Sequence, residues 1–476
     1  MTPSLLDALG RIVGPRWVRH RRAELTTYTM DGLPTHESVP GAVVVPGSRR
    51  EVAEVVRLLH VLGIPFVARG AGTGLSGGAL ANPDAVLIAL TRLNRVLRVQ
   101  PRRRRAVVEP GVVNARLGEA VAPYGLHYVP DPSSQAACTV GGNVAENAGG
   151  PHCLKYGVTT NHIAELDVVL PDGSETTLGS PHGEPWGPDL VGLFVGSEGM
   201  FGIAVQITVH LKPVPPAIRT MLADFASVRA ASEAVSAVIA AGIVPAALEM
   251  MDQACVAAVE ASIYAAGYPT DAAAVLLVEV DGQPAQVDAE SAAVERLLCG
   301  HGARSVRSAS AAADRMRLWQ GRKKAFGAMG RIAPDLAVQD AVVPRSTLPD
   351  ILDRIGEIRD RHRLSISNVF HAGDGNLHPN ISFDRRDPDL AARVKQASKE
   401  IMAACVAAGG SITGEHGVGN DKMHYMPWIF DAESLGAMQA VRRVFDPAER
   451  ANPGKVLPAR ACREWRAAGS AYVEAP

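Results

Sequence analysis

The stretch from residue 69 to residue 78 decides the fold, and it reads Arg69-Gly70-Ala71-Gly72-Thr73-Gly74-Leu75-Ser76-Gly77-Gly78. It follows a short apolar run, residues 65–68, that predicts a strand. Five glycines in nine positions let the backbone take positive φ angles and let its N–H groups approach a ligand closely. Converging backbone N–H groups are what a diphosphate requires. The stretch therefore predicts a diphosphate cradle at the end of a strand.

Part of this loop, Gly72, Gly74 and Gly77, matches the G-x-G-x-x-G pattern of dinucleotide-binding βαβ units. In those units the pattern opens a helix, and an acid about 20 residues later holds a ribose. Here residues 82–84 read Asn-Pro-Asp, which would stop a helix, and no acid follows until Glu109. The loop therefore predicts diphosphate binding without a following helix and disfavours a nicotinamide-dependent dehydrogenase. A purely structural glycine turn is the open alternative.

Two further patches of glycine, asparagine and small side chains follow the loop. They comprise Pro130-Asp131-Pro132-Ser133-Ser134, Cys138-Thr139-Val140-Gly141-Gly142-Asn143 with Glu146-Asn147-Ala148-Gly149-Gly150, and Gly196-Ser197-Glu198-Gly199-Met200-Phe201-Gly202-Ile203. Each patch alone is compatible with an ordinary loop. Together with the first loop they spread free backbone donors over more than 100 residues. A single phosphate would not need such a set, so the pattern favours an extended dinucleotide.

The bulk properties exclude several classes of protein. The length of 476 residues predicts two or three domains, and a net charge of -1 gives no global argument for nucleic acid or an anionic membrane. The basic run at residues 102–105 is interpreted as a solvated hairpin turn, with partner docking as the alternative. The cysteines are scattered and show neither C-x-x-C nor zinc spacing, and such a distribution is typical of proteins in a reducing cytoplasm. They are Cys138, Cys153, Cys255, Cys299, Cys405 and Cys462.

The pattern of polarity also argues against export and against a membrane span. Asp7, Gly10 and Arg11 interrupt any N-terminal signal core, and no run of about 18 apolar residues occurs. A cytoplasmic location is the expectation.

Periodicity predicts strands at residues 41–46, 65–68, 85–90, 163–170, 203–211, 220–225, 247–251, 274–280 and 336–343. It predicts helices at residues 50–63, 228–241, 284–298, 311–330, 390–408 and 432–445.

A second informative stretch is a predicted hairpin with two histidines, and residues 368–381 read Asn368-Val369-Phe370-His371-Ala372-Gly373-Asp374-Gly375-Asn376-Leu377-His378-Pro379-Asn380-Ile381. Asp374-Gly375 is a strong two-residue turn signal, which predicts that His371 faces His378. Opposed side chains have Cβ atoms about 5 Å apart on one face, so two imidazoles can share a cation. Asn376 lies on the same face as His378 because side chains alternate along a strand.

A carboxylate would complete a site for a divalent metal beside these histidines. The candidate is Glu415, in the run Gly414-Glu415-His416-Gly417-Val418-Gly419. Flanking glycines let Glu415 and His416 turn towards one centre, which a regular strand would forbid. A merely packed pair of histidines is the alternative. Iron, zinc and manganese are all compatible with these ligands.

The three glycine-rich patches together resemble the FAD domain of the vanillyl-alcohol-oxidase-like flavoproteins, in the FAD-linked oxidase branch. In that family the first loop wraps the FAD diphosphate, and the other patches contact the diphosphate, ribose and isoalloxazine ring. Some relatives attach the flavin covalently through a loop histidine, and this loop has none. The resemblance therefore implies non-covalent FAD. It implies cofactor contacts at Arg69, Gly70, Ala71, Gly72, Thr73, Gly74, Ser76, Gly77, Pro130, Asp131, Ser134, Thr139, Gly141, Gly142, Asn143, Asn147, Gly149, Gly150, Glu198, Gly202, Ile203 and Asn452.

The resemblance implies an α+β fold with a two-part FAD-binding domain of the vanillyl-alcohol-oxidase type. An α+β cap domain with an antiparallel, ferredoxin-like sheet and C-terminal helices would follow. The proline-dense residues 212–216 mark a domain boundary, because they cannot continue a helix or a central strand. The predicted ranges are 1–35 for an N-terminal lead-in, 36–215 for the FAD-binding domain, 216–460 for the substrate or cap domain with a C-terminal return to the flavin, and 461–476 for a tail.

The residues around the histidines resemble one particular group within this family. Residues 371–379 and 414–417 resemble substrate-side signatures of the D-lactate, D-2-hydroxyglutarate and glycolate dehydrogenase group. Residues 319–326, 330–335 and 340–345 resemble the catalytic subunits of glycolate oxidases. The match covers about residues 40–458 and ends at Asn452-Pro453-Gly454-Lys455, which is similar to a family segment that returns to the flavin.

Carried over residue by residue, the resemblance implies a mechanism. His371, His378 and Glu415 would hold a divalent metal, which would bind the α-hydroxyl and one carboxylate oxygen of a small D-2-hydroxy acid. His416 would remove the hydroxyl proton, and hydride would pass from the α-carbon to flavin N5 to give the 2-oxo acid.

Two residues are candidate substrate contacts. Arg322 would clamp the substrate carboxylate in bidentate fashion, with an ordinary helix-surface arginine as the alternative. Asn376 shares its face with the histidines.

A basic residue found in some relatives is missing from this chain, and its absence bears on the size of the substrate. D-2-hydroxyglutarate members carry an extra basic residue shortly before the aspartate equivalent to Asp340, where this chain has Ala337, Val338 and Gln339. Glycolate or D-lactate is therefore favoured; D-2-hydroxyglutarate or another hydroxy acid is the alternative.

No cysteine set in the sequence can hold an iron–sulfur cluster. The resemblance implies a complex with a second FAD-fold subunit and an iron–sulfur subunit, and membrane association through such partners is the alternative to a purely cytoplasmic protein.

Two other classes of protein fit the sequence less well. A non-catalytic FAD-binding subunit would be expected to lose the histidine hairpin and the Gly-Glu-His-Gly run, and both are intact. A flavin oxidase acting on sugars or alcohols would not need paired histidines.

Overall fold

Residues 1–180 and 187–458 are described by the computed structural model, in which the chain forms two units. The first unit holds Met1–Gly149, Val158–Val214 and the described residues from Glu415 onward. The second holds Gly150–Gly157 and Pro215–Gly414. The predicted tail at 461–476, with Cys462, lies outside the described residues.

Helices occur in both units. Their bounds are α1 Pro3–Val13, α2 Arg22–Leu25, α3 Arg49–Leu62, α4 Asn114–Val121, α5 Val140–Glu146, α6 Cys153–Tyr156, α7 Leu190–Phe194, α8 Val228–Ala240, α9 Gln253–Glu260, α10 Pro284–Gly300, α11 Ala312–Met329, α12 Leu348–His362, α13 Pro388–Ala407 and α14 Ala432–Phe445. Short 3-10 turns lie at Pro15–Trp17, Thr26–Tyr28, Pro101–Arg103, Ala122–Tyr124, Thr159–His162, Arg345–Thr347 and Met423–Trp428. Of the helices in residues 1–180 and 187–458, none combines the length and the apolar character that crossing a membrane requires.

The first unit contains two main sheets. Its strands are β1 Val18–Arg19, β2 Ala42–Val44, β3 Phe66–Arg69, β4 Val86–Ala89, β5 Val96–Gln100, β6 Arg105–Val108, β7 Leu126–His127, β8 Ile163–Val169, β9 Glu175–Gly179, β10 Ile203–His210 and β11 Lys212–Pro213. One sheet has the order β1-β2-β4-β3, in which β2, β4 and β3 are parallel. The other is antiparallel with the order β5-β6-β10-β8-β9. This is the two-part arrangement that the family resemblance implied.

The helix α3 shows how local sequence fixes an element of the first sheet. Ser48 caps it by accepting a hydrogen bond from the N–H of Glu51, and Gly63 ends it in the left-handed region at φ 70°. Between these caps Val52, Val55, Val56 and Leu59 recur at helical spacing and are fully buried. They pack in the same core as β2, β3 and β4, so the strand that leads into the glycine loop has a rigid support.

The second unit is built on antiparallel strands, β12 Ala217–Phe225, β13 Ala247–Asp252, β14 Ala274–Gly282, β15 Ala303–Ala309, β16 Asp335–Val338, β17 Ala341–Val342, β18 Ser365–His371, β19 Asn376–Leu377 and β20 Pro379–Phe383. The first four have the order β15-β12-β14-β13, with α8 after β12 and α10 after β14. This is the predicted ferredoxin-like pattern, with α9 added between β13 and β14. The sheet continues from β13 to β18, which carries His371 at its end.

The two units differ from the predicted domain ranges in two segments. Residues 150–157 lie with the second unit, where Lys155 and Tyr156 bind the carboxylate of Asp281. Residues 415–458 lie with the first unit, where Ala451 bridges Phe66 at the entry to β3. Both exceptions are long-range contacts, which periodicity along the chain does not report.

Candidate active site

The glycine loop of the first unit begins where β3 ends, as predicted, and no helix follows it before β4 in this part of the described chain. Gly72 and Gly77 take positive φ angles of 71° and 74°. Arg69 braces the loop, since its guanidinium donates to the carbonyl oxygens of Met30, at 2.7 Å, and Ala79. The loop is therefore an irregular backbone segment, and Arg69 links it to residues that lie outside the loop.

The backbone donors of this loop fit a diphosphate. Among the described residues, no N–H from Gly70 to Gly78 donates a hydrogen bond to another part of the chain. The side-chain oxygens of Ser76, Ser197 and Asn452 are likewise buried without a partner in the described structure. Buried polar groups are normally satisfied, so such a concentration indicates a polar ligand. The donor set, mostly uncharged N–H groups on flexible glycines, suits the diphosphate of FAD.

The other two glycine-rich patches, apart from Gly150, pack beside the loop in the same unit. The second patch forms α5, which Thr139 caps by accepting from the N–H of Gly142, and a Cβ atom on Gly70 would collide with the Thr139 hydroxyl. The third patch is tied to α5, because the N–H of Glu198 donates to the carbonyl of Ala145 at 2.8 Å. The three patches that the sequence grouped are thus neighbours in space.

The remaining predicted cofactor residues of this unit have structural partners. The carbonyl of Pro130 accepts from Asn114 at 2.9 Å, and Asn147 ends α5 in the left-handed region. Gly202 precedes β10, which begins at the buried Ile203. Gly150 falls in the second unit. Direct contact of each predicted residue with FAD stays a prediction; the residues in question are Arg69, Gly70, Ala71, Gly72, Thr73, Gly74, Ser76, Gly77, Pro130, Asp131, Ser134, Thr139, Gly141, Gly142, Asn143, Asn147, Gly149, Gly150, Glu198, Gly202, Ile203 and Asn452.

The segment after Glu415 closes onto the glycine loop. The carboxylate of Glu198 accepts from the N–H groups of Val418, at 2.7 Å, and Gly419, at 2.8 Å. The carbonyl of Ser76 accepts from two successive N–H groups, at residues 420 and 421. Further along, Asn452 donates to the carbonyl of Gly78 at 3.0 Å. The C-terminal segment therefore holds the loop in place through backbone groups.

Two buried carboxyl groups lie under this junction. Burial and the neighbouring Glu198 carboxyl raise the pKa of Glu146 well above its ordinary value. Burial also raises the pKa of Glu198 to about 7, although the N–H groups of Val418 and Gly419 oppose the shift. Both groups hold their protons more tightly in the folded chain than in the unfolded chain. The contribution of each group to stability is therefore greatest below the ordinary carboxyl pKa and is lost as the pH rises through its raised pKa, which is about 7 for Glu198.

We expect Glu146→Gln to raise the unfolding temperature of the flavin-loaded protein at pH 8 and to change it little at pH 5. The amide cannot ionise, so it removes the cost of charging this pair at the higher pH. Thermal unfolding of both proteins at the two pH values measures the difference. An equal shift at both pH values would contradict the protonation argument.

In the second unit the predicted two-residue hairpin turn is wrong, because His371 pairs with Asn376 rather than with His378. The loop spans residues 372–375, with Gly375 at φ 80° and the Asp374 carboxylate accepting from the N–H of Asn376. The register differs from the prediction by two positions, which leaves every side chain on the same face. His371 and His378 become diagonal neighbours, and their ring centroids lie 5.2 Å apart.

Both imidazoles are buried and held by acceptors at Nδ1. The carboxylate oxygens of Glu249 lie 2.8 and 2.9 Å from Nδ1 of His371. The carbonyl oxygen of Gln339 lies 3.1 Å from Nδ1 of His378. An acceptor at Nδ1 places the ring proton there, so Nε2 is the atom through which each ring would bind a cation. Two neutral imidazoles that present Nε2 are the donor type that divalent transition metals prefer.

Arg322 is almost completely buried, with 1% of its side chain exposed. Its Nε and Nη2 atoms donate to the carboxylate of Glu249 at 2.7 and 2.6 Å. The helix-surface alternative for Arg322 is therefore wrong. Its predicted role as a clamp on a substrate carboxylate stays a prediction. Burial alone would raise the pKa of Glu249, but the charge of Arg322 and the hydrogen bonds from Arg322 and His371 outweigh it, so this pKa is lowered.

Asp340 anchors the end of the second unit. It is fully buried, and its carboxylate accepts from the hydroxyl of Thr413 at 2.6 Å and from the N–H of Gly414 at 3.0 Å. Gly414 also packs against Asn376, where a Cβ atom would lie 2.5 Å from the amide carbon. The predicted substrate contact Asn376 and the start of the Gly-Glu-His-Gly run are thus neighbours.

Glu415 and His416 are grouped with the first unit, and they follow Gly414 directly along the chain. Glu415 Oε1 and His416 Nε2 lie 3.7 Å apart. The union of these two residues with His371 and His378 in one site stays a prediction, which rests on the covalent link to Gly414.

Sequence reasoning missed Glu249, Asp340 and Glu146. A signal existed for the first two, since each is a single acid in an apolar strand-like run, AALEMM and LAVQDAVV. A buried acid needs a partner, so an isolated acid in a core strand predicts a buried ion pair or a ligand. For Glu146 no such signal existed, because it lies among glycine and asparagine residues where exposed acids are common.

Comparison with known proteins gives two family matches. The model for the FAD binding domain matches residues 40–179, and the model for the C-terminal domain of FAD linked oxidases matches residues 214–456. Among curated proteins, glycolate oxidase subunit GlcD of Escherichia coli strain K12 is 45% identical, covering 98% of this chain and 93% of that protein. The subunit of the same name from Bacillus subtilis strain 168 is 37% identical and covers 96% and 97%.

More distant relatives extend these similarities. The mitochondrial D-lactate dehydrogenase [cytochrome] of Arabidopsis thaliana is 29% identical, covering 89% of this chain and 75% of that protein. Among solved structures, p-cresol methylhydroxylase superposes with a TM-score of 0.81 at 16% identity, covering 95% of this chain and 96% of the other. 4-Ethylphenol oxidase from Gulosibacter chungangensis gives 0.79 at 20% identity, covering 96% and 97%. At these identities the structural matches support the fold alone.

Proposed function

The chain belongs to the FAD-linked oxidase family, in the group of glycolate oxidase subunits and D-lactate dehydrogenases, and is an FAD-dependent oxidoreductase; from this premise we propose that it oxidises glycolate or D-lactate to the 2-oxo acid. The observation that carries the proposal is the pair of buried histidines whose Nδ1 atoms are both held by acceptors. A sugar or phenol oxidase has no need of such a pair. A chain that only binds FAD has no need of it either.

His371 and His378 would hold a divalent metal, and Glu415 would complete its ligands. Such a cation would supply Lewis acidity towards the α-hydroxyl and carboxylate of the substrate. His416, next to Glu415 in the chain, would take the hydroxyl proton, since an imidazole is suited to this task near neutral pH. FAD, when bound, supplies a hydride acceptor at N5. Iron, zinc and manganese remain open as the metal.

The substrate carboxylate would be bound by Arg322. Glu249 occupies the Nε and Nη2 edge of the guanidinium, so the Nη1 side would contact the substrate. Asn376, whose backbone pairs with that of His371, would contribute a further polar contact. These assignments involve side chains that are nine-tenths or more buried, which excludes water and strengthens charged contacts.

A small monocarboxylic substrate is favoured by the residues before Asp340. Ala337 and Val338 are apolar, and the Gln339 amide donates to the hydroxyl of Ser398 at 2.9 Å. A distal carboxylate would need a cation, and no cationic side chain stands at these three positions. D-2-hydroxyglutarate is the second candidate.

Anaerobic mixing of the flavin-loaded protein with a panel of hydroxy acids tests the proposal. We expect glycolate or D-lactate to bleach the flavin fastest, with L-lactate, D-malate and D-2-hydroxyglutarate slower. Bleaching by none of the panel would overturn the proposed activity. Fastest bleaching by D-2-hydroxyglutarate would show that the substrate is a dicarboxylic hydroxy acid and not a small monocarboxylic one.

The metal site is tested separately with His371→Ala. We expect at least a tenfold loss of bound transition metal in the purified protein, because the lost imidazole is one of three proposed ligands. Metal analysis by atomic spectrometry measures it, with His301→Ala, an exposed residue after α10, as the matched control. Wild-type metal content in His371→Ala would remove the site.

Electrons would leave the reduced flavin through partner subunits. The clusters of metal-ligating side chains found in the described part of the chain include no cysteine. The relatives' name, a subunit of glycolate oxidase, supports a complex of several chains. We propose that this complex includes a second FAD-fold subunit and an iron–sulfur subunit.

A further inference from the structure

Glu249 is a carboxylate placed in the middle of an apolar sheet. It lies on β13 between Leu248 and Met250, and its exposed fraction is 0%. Removing a carboxylate from water costs several kcal/mol, and apolar replacements for buried ion pairs are often as stable as the pairs themselves. A residue that only supports the core would not need this charge, so its contacts indicate what it does.

The contacts of Glu249 are with two residues of the proposed site. The β13–β18 register sets Glu249 directly opposite His371, so the two side chains emerge from the same face of adjacent strands. Its oxygens lie 2.8 and 2.9 Å from Nδ1 of His371. Arg322 reaches the same carboxylate from α11 through Nε and Nη2. Nη2 of Arg322 is 3.5 Å from Nδ1 of His371, a longer contact than that of Glu249, so the ring proton is assigned to the Glu249 bond.

We propose that Glu249 is a positioning residue that fixes His371 with Nε2 towards the metal and Arg322 with Nη1 towards the substrate carboxylate. This inference rests on the proposed function. A carboxylate hydrogen-bonded to the Nδ1 of a ligand histidine sets its tautomer and raises its basicity. The same carboxylate fixes one edge of a planar guanidinium, which leaves the opposite side in a defined orientation.

A second buried glutamate in the same sheet provides an internal comparison. Glu279 on β14 is paired with Ala247 and therefore shares the face of Glu249, since side chains alternate along β13. It accepts hydrogen bonds from Thr220 and from the indole N–H of Trp319, which lies three residues before Arg322 on α11. Its histidine partner is His152, with Nε2 at 3.4 Å, which is not a residue of the proposed metal site. Glu279 thus matches Glu249 in burial and in contact with α11 but not in its contact with His371.

The test compares Glu249→Gln with Glu279→Gln in the flavin-loaded full chain. The metal-stripped proteins are titrated with Zn²⁺ against a chromophoric chelator, and with Co²⁺, whose absorption bands report the ligand geometry. We expect Glu249→Gln to bind Zn²⁺ about 10- to 100-fold more weakly, with altered Co²⁺ bands, and Glu279→Gln to bind like the parent. The KM for the hydroxy acid should rise in Glu249→Gln, because Arg322 loses its charged support. A purely structural role would lower the unfolding temperature of both variants without changing Zn²⁺ affinity.

The outcomes separate this inference from the proposed function. Wild-type Zn²⁺ affinity in His371→Ala would remove the metal site itself. Loss of Zn²⁺ in His371→Ala together with parental affinity in Glu249→Gln would overturn the positioning role alone. Should Glu249→Gln fail to fold, the double variant Glu249→Met with Arg322→Leu removes both charges at similar volume. Its Zn²⁺ affinity is expected to fall by the same 10- to 100-fold, and parental affinity would again overturn the inference.

Discussion

His416→Asn should slow anaerobic reduction of the flavin by glycolate or D-lactate by about 10²- to 10⁴-fold, the usual contribution of a general base. Asparagine keeps a polar group of similar size but cannot take up a proton near neutral pH. His416 directly follows Glu415 between Gly414 and Gly417, and its Nε2 lies 3.7 Å from Oε1 of Glu415. Stopped-flow absorbance of the flavin measures the rate directly.

His424→Asn is the matched control for this experiment. His424 lies in the same C-terminal segment, where its ring packs on Tyr425 with 3.8 Å between centroids. We expect its reduction rate to stay within about threefold of the parent. Both variants should keep a full complement of FAD, since neither residue is among the predicted flavin contacts. A His416→Asn rate equal to that of the control would exclude His416 as the base.

Gly419→Ala should destabilise the protein by about 3 kcal/mol or more and should reduce FAD binding. Gly419 has φ 53°, and an added Cβ would sit inside the van der Waals contact of the Ser76 carbonyl, with the carbonyl carbon at 2.6 Å. Its N–H donates to Glu198 and its carbonyl accepts from Val456, both at 2.8 Å. Any shift that relieves the collision would break these contacts and move the glycine loop.

Gly436→Ala supplies the control of opposite sign. Gly436 is exposed within α14, and a Cβ there would meet nothing within 4 Å. Alanine in a helix interior is more stable than glycine by about 0.5–1 kcal/mol, so this variant should be slightly more stable than the parent. Chemical unfolding and the FAD-to-protein absorbance ratio measure both variants. Parental stability and full FAD in Gly419→Ala would show that the close packing at Ser76 is unimportant.

The elements with strong periodicity could be predicted from the sequence, while their pairing could not. The helix predicted at 432–445 has those same bounds in the structure, and the helices at 50–63 and 228–241 end within one residue of prediction. The hairpin at His371 shows the limit. Asp374-Gly375 signals a turn, but the N–H of Asn376 bonds to Asp374 and fixes a longer loop. The two-residue error preserved the face, so the histidine pair survived it.

The chemistry of the site was predicted in part for the same reason. His371 and His378 could be found because a hairpin brings them together locally. Glu249 lies 122 positions before His371, and only the register of β13 with β18 makes them neighbours. Likewise, the placement of residues 415–458 with the glycine loop depends on contacts such as that between Asn452 and Gly78. Such pairs lie beyond the reach of periodic patterns.

The return of the C-terminal segment to the loop also sets an order of events during biosynthesis. The glycine loop leaves the ribosome early. Asn452 donates to the carbonyl of Gly78 and Lys455 to the carbonyl of Leu80, and both donors are translated more than 370 positions later. Folding that proceeds from the N-terminus must therefore leave the cradle open until residues 452–455 have been translated. We expect nascent chains that stop before residue 450 to capture no flavin, so that cofactor loading must wait for this segment to emerge.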